Sequence, residues 1–455
     1  MKLHKRRYSA AAAALLAVAA AGAGAPAQAS DALLDKLVDK GILTVKEANE
    51  LRQESDKGFT QAYQVKSGMP DWVSSLKFNG DFRGRMEGFY ASHPGWADRT
   101  RYRYRLRFGV TASLLDDFEV GMRLGSGELN TASAAEGIDP ISSNQTFMGN
   151  GSKKGIFLDM AYAKWSPLHD KTWTGSLTIG KMENPFVFSD MVFDKDYTPE
   201  GAAWQMSYAI NDQQALKFNS AFFVLNELAA SSYDPYMVGA QLRWDSTWNK
   251  RWSSSFGVAA LDIANDQFLT NGAVPNKNRG NSRTAAGAPA QGFNPLIADG
   301  ALTYTRESFP MYPGAFPITL AGEYINNPAA HSDYFNVPGA GAQNSAYNAG
   351  ITFGKSGKKG TWDISYKYKY LEGNAWYEEM VDSDYGAYYQ AAPLGGGAGY
   401  GSGTNIKGHV IKASYSPYDS LTLSVTAFVA QLIKASPTGS GSDMTRLQVD
   451  ASWKF

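Results

Sequence analysis

The sequence predicts an all-β fold: a transmembrane antiparallel β-barrel of about 16 strands, preceded by a short N-terminal helical hairpin. Three observations carry this expectation. From Trp72 to Phe455 the dominant hydrophobic period is two, not 3.6. Short and long connections alternate along the chain, and aromatic residues collect at strand ends beside the short ones. Composition agrees, since 46 glycines and 13% aromatics in a chain with no cysteine suit a barrel better than a soluble α/β enzyme.

The elements follow in chain order. Lys2, Lys5, Arg6 and Arg7 precede an Ala/Leu/Val run from Ala10 to Ala25 and then Ala27-Gln28-Ala29. This is a charged n-region, an apolar h-region and an A-x-A site, so residues 1–29 are expected to be a cleaved secretory signal. A retained N-terminal anchor is the other reading, and the small residues favour cleavage. Residues 30–66 are expected to form a periplasmic helical segment. Leu33, Leu34, Leu37 and Val38 make one apolar stripe, Gly41 stops it, and Thr44-Val45-Lys46-Glu47 is a capping box opening a second helix. Such a hairpin is too small to bury much core alone.

The barrel is expected over 70–455. Its strand candidates are 72–90, 100–115, 117–127, 154–167, 172–183, 201–210, 214–226, 234–248, 252–264, 300–308, 316–327, 345–354, 360–372, 404–416, 420–434 and 444–455. Connections after even-numbered strands are short, such as "NDQ" and "PYDS"; most after odd-numbered strands are long, such as 128–153 and 373–403. That is the layout of a membrane barrel with tight turns at one end and extended loops at the other. Trp72, Trp165, Trp173, Trp248, Trp252, Tyr312, Trp362, Tyr415, Tyr418, Trp453 and Phe455 would form an interfacial girdle beside the short turns. Because hydrocarbon cannot solvate peptide groups, the sheet must close, making the first and last strands neighbours.

The stretch "RTRYRYRLRFGV" places Arg99, Arg101, Arg103, Arg105 and Arg107 on one face and Tyr102, Tyr104, Leu106, Phe108 and Val110 on the other. A lipid-facing Arg or Lys near the bilayer midplane costs roughly 2–4 kcal/mol. The arginine face must therefore point inward. The same parity yields a basic pore-lining wall of Arg83, Arg85, Arg101, Arg103, Arg105, Arg107, Arg123 and Arg446, with Asp81, Glu87, Glu119 and Asp450 interspersed and Arg99 near the rim.

Several stretches resemble the family of putative porins of Gram-negative bacteria: "FNGDFRGRME", "RYRYRLRFGV", "LDMAYAKWSP", "LTIGKMENPF", "FDKDYTPEGAAWQMSY", "YKYKYLEGNAW", "GTNIKGHVIKASYSPYDSLTL" and "RLQVDASWKF". They spread over nearly the whole chain after residue 70, strands better than loops. The resemblance implies an outer-membrane barrel with periplasmic termini, surrounded by lipid, that passes small polar solutes; the wider class implies a homotrimer. It also implies that the third long loop, Asn184 to Gly201, folds inward as a constriction, its acids Asp190, Asp194, Asp196 and Glu200 facing the basic wall. Opposed charges across a narrow gap would then orient polar solutes.

Other functions find less support. Removing Lys2, Lys5, Arg6 and Arg7 from 43 Lys+Arg leaves 39 against 43 Asp+Glu, giving no reason to expect nucleic acid. His93, His169, His331 and His409 form no H-x-x-H or H-E-x-x-H pattern, so neither metal nor cofactor nor enzyme activity is expected. "DSD" at Asp382–Asp384 reads as a solvated loop, and "PLGGGAGYGSGTN" as a flexible external loop lacking a phosphate-binding signature. The alternative to a channel is a barrel scaffold sheathing a separate partner such as an outer-membrane cytochrome.

Overall fold

Alternating apolar and polar residues become strands whose two faces meet different solvents. The computed structural model describes residues 69–92, 96–128, 141–270, 279–389, 399–435 and 441–455. The signal and helical-hairpin expectations for 1–29 and 30–66 lie outside the described residues. The barrel strands are Val73–Tyr90 (β1), Arg99–Leu114 (β2), Phe118–Gly127 (β3), Gly155–His169 (β4), Trp173–Lys181 (β5), Glu200–Asn211 (β6), Gln214–Val224 (β7), Tyr236–Thr247 (β8), Trp252–Ala264 (β9), Leu296–Arg306 (β10), Phe316–Asn326 (β11), Ser345–Gly354 (β12), Trp362–Leu371 (β13), Ile406–Tyr418 (β14), Leu421–Leu432 (β15) and Asp443–Lys454 (β16).

Each strand pairs with the next, and β16 returns antiparallel to β1, from Asp81↔Lys454 to Tyr90↔Thr445. The seam ends in a reciprocal pair of backbone bonds, Gly80 N to Phe455 O at 2.9 Å and Phe455 N to Gly80 O at 3.0 Å. A Cβ at Gly80 would collide with the Arg107 carbonyl and the Phe455 ring, so only glycine lets the strands close here. Closure leaves no edge, as hydrocarbon requires.

Short turns run from 212–213 up to 307–315, and the long connections reach 372–405. The tightest turns use residues that tolerate a left-handed backbone: Asp116 (φ 60) and Asp117 (φ 63) join β2 to β3. Near the turn end, β4 shifts register between Trp165 and Leu168, and β14 between Tyr415 and Tyr418. Each shift spans a Ser-Pro pair, Ser166-Pro167 and Ser416-Pro417, where proline has no N–H for the ladder.

The outer face carries exposed Leu106, Phe108, Val120, Leu242, Leu320 and Val425, the apolar belt that lipid demands. Trp72, Trp165, Trp173, Trp248, Trp252, Tyr415, Tyr418, Trp453 and Phe455 are also exposed. Trp362 and Tyr312 instead pack with Phe309 and Phe316 into a cluster beside a short turn.

Two loop expectations need correcting, and one long connection carries extra pairing. Within 128–153, Gln145–Thr146 pairs with Arg103 and Tyr104 of β2, extending the sheet past the end of β3. In the glycine-rich stretch, Gly399–Ser402 pairs antiparallel with Gly386–Tyr389, so these residues form a two-stranded ladder. "DSD" is ion-paired inside the barrel, as shown below.

A further surprise is apolar. Phe186, Met191, Val192 and Phe193 of one loop, and Trp376, Tyr377, Met380, Val381 and Tyr385 of another, form a buried core with Phe223, Met237, Leu261, Ile297, Ile325, Leu371, Ile406 and Phe428. The strand members alternate with exposed Phe222, Val238 and Leu296, so they lie on the inner face. Over β7–β15 the loop end of the barrel is therefore filled by the chain's own side chains.

Candidate functional site

The interior divides into a wall of arginines on β1, β2 and β16 and a two-loop plug anchored on the opposite wall. At the loop end of the arginine wall, Glu87 is completely buried. Its Oε1 accepts from Arg446 Nη2 at 2.5 Å, Gln448 Nε2 at 3.0 Å and Arg85 Nη1 at 3.4 Å. Its Oε2 accepts from Arg101 Nε, and Arg103 Nη1 stands 3.9 Å away. Register explains the gathering, because β16 places Gln448 opposite Glu87, Asp450 opposite Arg85 and Arg446 opposite Phe89. Arg85 forks onto Asp450 with bonds of 2.7 and 2.9 Å, a geometry suited to guanidinium–carboxylate pairing. The Arg101 and Arg446 guanidiniums also lie 4.9 and 5.0 Å from the Phe89 ring centre.

Nearer the turn end, Asp81 aligns two guanidiniums. Arg107 Nε donates to its Oδ1 at 2.6 Å and Arg105 Nε to its Oδ2 at 3.0 Å. Both arginines then present Nη1 to Asp196: Arg105 at 2.9 and 3.1 Å, Arg107 at 3.0 Å. Arg83 donates to Asn144 Oδ1 at 2.7 Å and forms no ion pair within the described residues. Arg123 lies apart, bonded to Asp159 and, at 3.4 Å, to Glu183.

The plug is anchored on the far wall. In the connection 182–199, Ser189 N and Oγ donate to Glu323 at 2.8 and 2.5 Å, and Gln241 exchanges bonds of 3.0 and 2.7 Å with the Val187 backbone. The connection 372–405 locks onto it: Trp376 Nε1 donates to Val192 O at 2.8 Å, Asp194 N to Met380 O at 2.7 Å, and Asp382 N to Asp190 O at 2.9 Å. Lys369 of β13 sits between Asp190 at 2.9 Å and Asp382 at 2.8 Å. Burial alone would raise the Asp190 carboxyl, but Lys369 and Lys367 outweigh it and hold the group far below the ordinary range. Residues 279–283 bind the same connection, through a buried Arg283–Glu378 ion pair and Asn281 bonds to Gly373 O and Trp376 O.

Among the four expected acids, Asp196 meets the arginines, pairing with Arg105 and Arg107. Asp190 serves the β13 lysines, Asp194 accepts from Asp196 N and Ser383 N, each at 2.7 Å, and Glu200 reaches Lys181 at 3.1 Å on an exposed rim. The second acid that meets the wall is Asp384 of the "DSD" stretch. Its Oδ1 accepts from Arg446 at 2.8 Å and its Oδ2 from Arg85 at 3.0 Å. Sequence reasoning passed over Asp384, and also Lys369 and Trp376. Four acids within Trp376–Asp384 (Glu378, Glu379, Asp382 and Asp384) were a signal, but only the fold turns that loop inward. The expected water-filled gap between opposed charges is also replaced, where the two meet, by direct ion pairs.

Beyond Asp196 towards the turn end lies a cavity of about 480 Å³, lined among others by Asp81, Arg107, Glu119, Arg123, Tyr162 and Lys164. Tyr162 Oη donates to Glu119 at 2.9 Å, its ring lying where a Cβ on Gly121 would be. Lys164 has no ion-pair partner among the described residues and faces this space.

Fold and interior together define a closed 16-stranded β-barrel of the outer-membrane type, apolar outside and charged within. Residues 93–291, which span β2 through β9 and the inward loop 182–199, match the model of the family described as "Putative porin". Similar solved structures include OprB of Pseudomonas putida (10% identity, TM-score 0.48, covering 88% of this chain and 97% of that one) and OmpF of Salmonella typhi (12%, 0.44, 84% and 97%). A mutant porin of Rh. blastica is a third (11%, 0.40, 84% and 100%). No curated protein matches the sequence.

Proposed function

We propose that this barrel is an outer-membrane channel passing small hydrophilic solutes or ions by passive diffusion, with Arg83, Arg85, Arg101, Arg103, Arg105, Arg107, Arg123 and Arg446 biasing it towards anions. The observation that carries the reading is the closed barrel whose inner face carries these guanidiniums, Arg107 and Arg123 beside a polar cavity, while its outer face is apolar. Asp196 is the acid placed to narrow the passage at the wall; Asp190, Asp194 and Glu200 shape the loop that carries it. A scaffold around a separate chain fits less well, because Phe193, Trp376 and Tyr377 already fill the loop end.

Purified protein in planar bilayers should give stepwise, ohmic conductance, with a reversal potential under a KCl gradient displaced towards chloride. The homotrimer of the wider class would add three equal substeps. Insertion without conductance would sink the channel reading; a cation-directed reversal potential would sink the charge preference alone.

A further inference from the structure

Most wall guanidiniums are bound by acids on neighbouring strands; like Arg85 and Arg446, which also meet Asp384, the Arg105–Arg107 pair is finished by an acid from a loop. Asp81 takes the Nε edge of both residues and so fixes the two guanidiniums side by side. Their Nη1 atoms are left pointing at one place, which the Asp196 carboxylate occupies through three bonds of 2.9 to 3.1 Å. Two arginines against Asp81 alone leave one positive charge, and Asp196 neutralises it.

That carboxylate stands where a solute carboxylate could stand. Its side chain is about one-fifth exposed, and Arg107 and Asp81 also line the 480 Å³ cavity, so a small molecule can approach from the turn end. Lys164 offers a further cation on that approach. The loop behind Asp196 is held independently, by Trp376 on Val192 and Glu323 on Ser189, so Asp196 can leave without dismantling the plug.

We infer that Arg105, Arg107 and Asp81 form a binding site for a small carboxylate solute, with Asp196 as its built-in competitor. The site rests on the channel reading and gives it a solute class. The carboxylate displaces Asp196, pairs with both Nη1 groups, and frees the loop tip from the wall. An internal competitor reduces apparent affinity by the fraction of time the site is open. This keeps a transported solute weakly held.

The probe is succinate, titrated calorimetrically at fixed ionic strength into the full-length, detergent-solubilised barrel, with succinate block of KCl current measured in parallel. D196N keeps the size of the side chain and removes the competitor's charge; it should bind succinate about 10-fold more tightly if the site is open one-tenth of the time. The double variant R105Q/R107Q should lose the heat and the block. R105K/R107K, with its charge kept but its fork lost, should bind more weakly than wild type, and heat-dependent gel mobility verifies that each barrel is folded. Equal affinity in wild type and D196N, or binding retained by folded R105Q/R107Q, overturns the proposal. Tight binding by D196N in a barrel that never conducts would keep the site and remove the channel; conduction without any D196N gain would do the reverse.

Discussion

Glu87 shows how one residue can organise a wall. Four guanidiniums and Gln448 converge on a carboxylate with no exposed surface, and neighbouring arginines could not be held so closely without it. Breaking a buried ion pair by removing one partner costs about 3–5 kcal/mol, because the other charge stays desolvated and unopposed. Glu87→Gln should therefore lower barrel stability by that amount, measured by urea unfolding in lipid vesicles. A loss below about 1 kcal/mol would show that Asp384 and Asp450 carry the cluster by themselves. The same logic ranks the wall. Arg103 is buried against Glu87 and Asn144, whereas Arg107 borders the cavity and Arg105 shares its Asp81 and Asp196 partners, so that pair bears most directly on the solute.

At the scale of elements, the strands were legible in the sequence and the plug was not. Period-two alternation needs only the next residue but one, so the arginine face of β2 and the apolar-out parity of β16 follow from local order. Strand ends were less legible: β10 starts at Leu296 rather than residue 300, because Leu296 to Asp299 pair with both β9 and β11. The destination of a long loop depends on surfaces far away in the chain. Nothing near Asp382–Asp384 announces Lys369, Arg85 or Arg446 as partners, although inner-face Phe223, Met237 and Ile325 on otherwise charged or polar rows hint that something apolar must cover them. The Asp384 latch has a definite pH behaviour. Burial alone would raise its carboxyl, but Arg446 and Arg85 outweigh that and hold it well below 3.8. A lowered folded value means that its stabilisation is complete above the unfolded value of about 3.9 and lost only as pH falls through the folded one. The Asp384 latch should thus add no conductance step between about pH 8 and about pH 4.5, while D384N, which deletes the charge at every pH, should raise conductance at about pH 7. A conductance step between about pH 5 and 7 that vanishes in D384N would contradict this.

The whole molecule is governed by two solvents and one closed sheet. Every strand must put apolar side chains into lipid and leave its charges for the interior, so β2 records the rule for the entire barrel. Leu106 lies near the middle of β2 on the outer face and is 44% exposed, while Arg105 and Arg107 on either side are bonded inside. Leu106→Arg adds one more arginine to a strand already rich in them, yet places it in hydrocarbon, where the cost is roughly 2–4 kcal/mol near the midplane. The same charge gain at Gln205, which faces the 480 Å³ cavity, meets water and other polar groups instead. Leu106→Arg should lose about 2–4 kcal/mol of unfolding free energy in vesicles, and Gln205→Arg much less. If the two cost the same, position relative to lipid is not what sets the penalty, and the assignment of inner and outer faces fails with it. If they separate as expected, the five arginines of "RTRYRYRLRF" are tolerated because closure gives them an interior, away from the lipid that Leu106 meets.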